Sequence, residues 1–158
     1  LGLTGKDLED LRMACLLHDI GQIDHCPYIK EGRTLTQAER LDLEAHPLRG
    51  FQLISQMGKE YESVAKWVRW HHERWDGTGY PDRLTGDLIP LPARILTVVD
   101  AYDAMCHERP YRPALSPDRA LTELKRYAGI IFDPVIVDMF ATLDPSESLG
   151  IGTNLELD

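Results

Sequence analysis

The sequence predicts an all-α fold built as one compact domain. Three observations carry that expectation. Apolar residues recur at helical spacing through most of the chain, capping residues or prolines open the helical runs, and no useful stretch alternates apolar with polar. Thr4 with Asp7 opens the first helix, whose stripe is Leu8, Leu11, Cys15 and His18, and Gly21 is the expected stop. Residues 22–33, with Pro27 and Gly32, read as a loop. Thr36 and Glu39 form a capping box; the helix they open should end near His46, because Pro47 disfavours helical geometry in the residue before it. A short helix follows from about Pro47 to Met57, with Gly58 as its stop. Val64, Trp67, Val68 and His71 define the next stripe, which ends near Glu73.

From Asp76 to Leu91 the glycines Gly77, Gly79 and Gly86, with Pro81 and Pro90, punctuate a long surface loop, a kind of segment that often carries function. Pro92 then starts an apolar helix running to about Cys106. Ser116-Pro117 opens another, closed by Gly129, and Asp133-Pro134 opens the last, through Leu143. Residues 1–143 therefore form the domain, and the acidic, aperiodic residues 144–158 read as a disordered tail.

Of 158 residues, 43% are hydrophobic and 27% charged, ordinary values for a globular protein with a buried core. With 17 Lys and Arg against 26 Asp and Glu the net charge is −9, a poor footprint for non-specific nucleic-acid binding. No window has the apolar length of a membrane span, so no membrane contact is expected from this stretch. The chain opens on Leu1 rather than Met, which suggests a fragment with a membrane or sensor segment upstream. Cys15, Cys26 and Cys106 are odd in number and lack CxxC spacing; a reducing cytoplasm is the expected setting.

Imidazoles and carboxylates gather at the ends of the expected helices: His18-Asp19, His46 before Pro47, His71-His72, and Asp100 inside an apolar helix. Any one His on an apolar stripe is more often a satisfied core residue. Asp100, between Val99 and Ala101, fits that reading poorly, because a buried unpaired carboxylate is costly and a cation removes the cost. The mixed nitrogen and oxygen donors suit iron or manganese better than a thiolate zinc site. So many candidates suggest two ions, with Asp19 as a bridge; a pair roughly 3.5–4 Å apart can activate water and neutralise phosphate charge.

The string HHERWDGTGYPDRLTGDLIPLPARILTVVDAYDAM, from His71 to Met105, resembles the signature of the HD-GYP family, within the HD superfamily of metal-dependent phosphohydrolases. The match extends back to His18-Asp19-Ile20-Gly21 and His46-Pro47 with Gly50, and forward through Arg109-Pro110-Tyr111-Arg112 and Phe132-Asp133-Pro134. The resemblance implies an HD-domain-like helical bundle with a long GYP loop and a centre of two or three divalent ions, iron or manganese. It implies that His18, Asp19, His46, His71, His72 and Asp100 are ligands. Tyr80 would pack on a nucleotide, and Arg109 and Arg112 would hold its phosphates, a task suited to a guanidinium fork. Taken singly, either Arg is a solvated loop charge and Tyr80 a loop anchor. Glu73, Asp76 and Asp103 are candidates for orienting ligand imidazoles or the loop. His25 and His107 match no ligand position and read as surface residues.

The activity implied is bacterial: hydrolysis of cyclic di-GMP to linear pGpG or GMP. The alternatives are a weakly active or non-catalytic signalling module, with the GYP loop as a protein-docking surface, or a phosphohydrolase of another nucleotide. Two departures bear on that choice. Gln22 stands where the family usually has Lys near the scissile phosphate; a lost transition-state contact costs about 2–4 kcal/mol. The family also draws a His ligand from an upstream helix, and no His precedes His18, so that helix lies before Leu1 or is absent.

Overall fold

The computed structural model describes residues 2–23, 26–31, 33–108 and 112–143. Arg109, His25 and the tail 144–158 lie outside the described residues. Seven helices are present among those described: α1 (Gly5–Leu17), α2 (Gln37–Glu44), α3 (His46–Ser55), α4 (Glu62–Trp70), α5 (Leu91–Cys106), α6 (Pro117–Arg126) and α7 (Pro134–Thr142). Short 3-10 turns occur at Ile20–Gln22, Pro27–Glu31, Lys59–Tyr61 and Gly86–Leu88. No strand occurs among the described residues; one isolated bridge joins Ala128 to Phe132. The all-α expectation holds.

Both expected capping boxes form. Thr4 accepts from the Asp7 amide while Asp7 accepts from the Thr4 amide, and Thr36 and Glu39 do the same on α2. Asp133 caps α7 through the Val135 amide at 2.8 Å. Several helix ends fall earlier than expected. α1 stops at Leu17, ahead of Gly21, and the chain tightens into the Ile20–Gln22 turn against α3. Gly21 is no helix terminator: a Cβ there would overlap the His46 carbonyl, so its small size permits that packing. α4 stops at Trp70, with His71 as its cap. α6 stops at Arg126, and Gly129, at φ 79°, instead lies in the turn between the bridged residues Ala128 and Phe132.

Two apolar cores share α5. The first gathers Ala14 of α1, Ile54 of α3, Val64, Ala65, Trp67 and Val68 of α4, and Ala93 and Leu96 of α5. The second gathers Val98 and Tyr102 of α5, Ala120 and Leu124 of α6, and Ile136 and Val137 of α7. Fully burying an aliphatic side chain of this kind stabilises by about 1.5–3 kcal/mol, so each core fixes the helices that feed it. The long loop is fastened to this frame. The Trp75 and Asp76 amides donate to the Ile131 and Ile130 carbonyls, and Arg94 of α5 bonds both Asp87 of the loop (2.9 Å) and Asp133 (2.7 Å).

Candidate metal centre

The early stop of each helix turns an imidazole inward. His18, His46 and His71 sit at helix boundaries, where the carbonyl three residues back has spare acceptor capacity. Each uses it: His18 Nδ1 lies 2.7 Å from the Cys15 carbonyl, His46 Nδ1 2.6 Å from Leu43 and His71 Nδ1 2.6 Å from Val68. A carbonyl oxygen only accepts, so Nδ1 carries the proton and, in each neutral ring, Nε2 presents a lone pair. Metal-ligating histidines are oriented in this way.

The Nε2 atoms converge. His46 Nε2 and His71 Nε2 face each other at 3.3 Å. Asp19 Oδ1 lies 3.3 Å from His46 Nε2, while its Oδ2 lies 3.5 Å from His18 Nε2. His72 joins them, its ring 4.0 Å from that of His71 and 4.9 Å from that of His46. One donor atom each from Asp19, His46, His71 and His72 falls within a sphere of mutual separations under 4.8 Å. His46 and His71 are fully enclosed. On its other side His18 Nε2 is 3.5 Å from Asp100 Oδ1.

The electrostatics divide the cluster into a charged and a neutral side. Burial opposes charge on His18, yet its bonds to Asp100 and Asp19 outweigh that and lift its pKa to about 11. The same contacts, with His46, hold Asp19 far below the carboxylate range against the opposing effect of burial. Burial pushes His71 down to about 4, with like-charge repulsion from His46 adding to it, and holds His72 well below its usual value. Two neutral, enclosed imidazoles beside a carboxylate form a donor set that fits a divalent cation. Asp100 departs from the buried carboxylate expected: its side chain is 27% exposed and opens onto the cleft toward His18.

The remaining candidates divide. Asp19, Gln22, Tyr80, Asp100 and Arg112, with His46 and His72, line one cleft of about 270 Å³. The Gln22 amide nitrogen donates to Asp19 Oδ1. The Tyr80 ring lies 5.1 Å from that of His72, tilted by 35°. Arg112 is anchored by the end of α5, donating to the Ala104 (2.7 Å) and Met105 (3.2 Å) carbonyls. Glu73, 1% exposed, orients the loop and not an imidazole: its two oxygens accept from the Asp82 (2.7 Å) and Leu84 (3.0 Å) amides. Asp76 shapes its own turn through Thr78. Asp103 is exposed and paired with exposed His107 at 3.3 Å instead of with an imidazole of the cluster.

Two supporting residues escaped the sequence. Arg49 of α3 donates Nε to the Gly21 carbonyl at 2.9 Å and Nη1 to Asp42 at 2.8 Å, clamping the turn that follows Asp19. A lone Arg one turn into a helix carries no signal of that role. Asp82 was likewise unmarked; it ties the loop to Arg69 (2.6 Å) and Trp70 (2.7 Å).

A profile of the HD domain matches residues 1–136. The chain belongs to the HD domain family, in its HD-GYP form. This HD-GYP domain is 40% identical over 141 residues to the cyclic di-GMP phosphodiesterase response regulator RpfG of Xanthomonas campestris pv. campestris, covering 87% of the chain and 37% of that protein. It is 36% identical over 151 residues to the 3'3'-cGAMP-specific phosphodiesterase 3 of Vibrio cholerae, covering 94% of the chain and 32% of the relative. The chain thus spans about a third of the length of these curated relatives. The crystal structure of a cyclic GMP-AMP specific phosphodiesterase of Vibrio cholerae superimposes with a TM-score of 0.67 at 24% identity, over 89% of this chain and 39% of that one, and so shares the fold. Among the described residues of the HD-GYP domain no helix is long and apolar enough to cross a membrane.

Proposed function

We propose that this HD-GYP domain is a metal-dependent phosphodiesterase that opens cyclic di-GMP, giving linear pGpG or GMP, within a longer bacterial signalling protein in the cytoplasm. The observation that carries the reading is the convergence of His46 Nε2 and His71 Nε2, 3.3 Å apart, beside Asp19, an arrangement whose donor atoms suit a divalent cation. Three free cysteines support the reducing compartment. The relatives named for cyclic dinucleotide hydrolysis support the substrate class.

Two divalent ions, iron or manganese, suit the nitrogen and oxygen donors, and when bound they supply an activated water and neutralise phosphate charge. The protein's own groups do the rest. Asp19 turns one oxygen toward His46 and the other toward His18, the orientation of a bridging carboxylate. His46, His71 and His72 form one side of the centre, and His18 with Asp100 the other. Gln22 fixes the rotamer of Asp19 through its amide. Tyr80 and Arg112 line the cleft, where Tyr80 offers a ring and Arg112 guanidinium donors for phosphate, offsetting the negative protein locally; the resemblance gives Arg109 the same task.

The test uses the longer parent protein, purified without oxygen, with its metals quantified and cyclic di-GMP hydrolysis measured. Metal content near two ions per chain and turnover abolished by a chelator or by His46→Ala are expected; metal-free protein with unchanged turnover would overturn the reading. Gln22→Lys should raise the rate, since a cationic donor near the phosphate can recover part of the 10²–10³ that one transition-state contact is worth, very roughly. Equal rates would remove the argument about the lost charge. The second reading, a weakly active or non-catalytic module whose GYP loop docks a protein partner, is favoured by Gln22 being engaged with Asp19 and by Leu88, 70% exposed on that loop. Ligand binding without product would select it, and hydrolysis of another nucleotide would select a different substrate.

A further inference from the structure

The metal cleft is small for its proposed substrate. At about 270 Å³ it falls just below the roughly 300–1,000 Å³ of sites that enclose drug-sized ligands, and a cyclic dinucleotide carries two nucleotides. A second cavity of about 560 Å³ lies beside it, and Arg112 lines both. Because Arg112 is held by the Ala104 and Met105 carbonyls, it stands as a fixed ridge between the two spaces. The second cavity has an apolar side, Met105 and Leu115, and a charged side, Arg119 and Glu123. Those two charged residues are one turn apart on α6 and so point the same way. Arg119 is exposed and makes no ion pair among the described residues; Glu123 has only a loose contact with Arg126 at 3.7 Å.

We propose that this second cavity receives the other guanosine of the cyclic dinucleotide whose scissile phosphate lies at the metal centre, with Arg119 and Glu123 reading the base. The proposal rests on the phosphodiesterase reading above. Guanine presents acceptors at O6 and N7, which match a guanidinium fork, and donors at N1 and N2, which match a carboxylate. Adenine turns an acceptor at N1 toward that carboxylate and is disfavoured. Met105 and Leu115 provide a surface for the base, with the thioether suited to an aromatic ring. Arg112, on the ridge, is placed to contact the phosphates that join the two halves.

The test is titration calorimetry on the manganese-loaded protein with cyclic di-GMP, cyclic di-AMP and GMP, alongside a hydrolysis assay. GMP, with one phosphate and one base, reports the metal cleft alone. Arg119→Ala should weaken cyclic di-GMP about tenfold, the effect of losing a bidentate base contact, while the ratio of its Kd to that of GMP rises by nearly the same factor. Arg119→Lys should recover only part of the loss. Glu123→Gln should reduce the preference for cyclic di-GMP over cyclic di-AMP about fivefold. The proposal is overturned if Arg119→Ala moves cyclic di-GMP less than twofold, or weakens GMP equally. If the wild type turns over cyclic di-GMP and Arg119→Ala binds it unchanged, the subsite is wrong and the phosphodiesterase stands. If the wild type binds without turnover and Arg119→Ala still weakens the complex, the activity is wrong and the subsite stands. Absence of wild-type binding defeats both.

Discussion

Two irregular segments reach the metal centre, and they are held by opposite chemistry. The GYP loop is fastened by a carboxylate: Glu73 lies beneath it and satisfies two of its backbone amides. The turn after Asp19 is fastened by a guanidinium: Arg49 satisfies its Gly21 carbonyl and leans on Asp42, which Tyr28 also contacts at 2.6 Å. In both, a charged side chain replaces the hydrogen bonds that regular structure would supply. The difference is enclosure. Glu73 is 1% exposed, whereas the Arg49 side chain is 19% exposed and water can partly replace it. The lesson is that the GYP loop is the more deeply committed of the two, and the turn bearing Asp19 the more adjustable.

The largest expected effect that tests this is Glu73→Ala. Leaving two part-buried amides without acceptors should cost about 2–3 kcal/mol in chemical denaturation. Glu73→Gln sharpens the point. Burial raises the Glu73 pKa, with the loop amides pulling the other way, so a neutral side chain would restore stability if charge burial were the main fault. Both oxygens are accepting, however, and a Gln must turn an NH2 toward one amide; a loss of about 2 kcal/mol is expected to remain. Next comes Arg49→Ala, at about 1.5 kcal/mol of stability, with metal affinity falling about tenfold because Gly21 follows Asp19 so closely. A cost equal to that of Glu73→Ala would break the contrast. The smallest change is Asp82→Asn, about 0.5–1 kcal/mol, since its pairs with Arg69 and Trp70 are partly exposed.

Much of the fold was legible because it rests on local signals. Thr4, Thr36 and Asp133 cap as the letters say, and the stripes of α4 and α5 bury the residues their spacing selects. Of the ligand candidates, Asp19, His46, His71 and His72 bring donor atoms within 4.8 Å of one another, and His18 lies 3.5 Å from both Asp19 and Asp100. What the sequence misplaced were helix ends, because Gly21 looks like a terminator while its actual constraint is the close approach of α3. Missed as well were Arg49 and Asp82, whose partners are far along the chain and leave no periodic trace. Asp103, a candidate for orienting an imidazole or the loop, pairs instead with the exposed His107 at 3.3 Å.

α5 places Val98 and Tyr102 in one apolar core and Ala93 and Leu96 in the other, and Asp100 lies along the same helix. A cation held jointly by Asp100 and by imidazoles rooted in α3 and α4, as proposed above, would act as a rivet through both halves. Loaded with metal, the protein should melt in one step; stripped of it, the α6–α7 half is free to come apart first, so that the same ion that equips the cleft also sets the cooperativity of the whole domain.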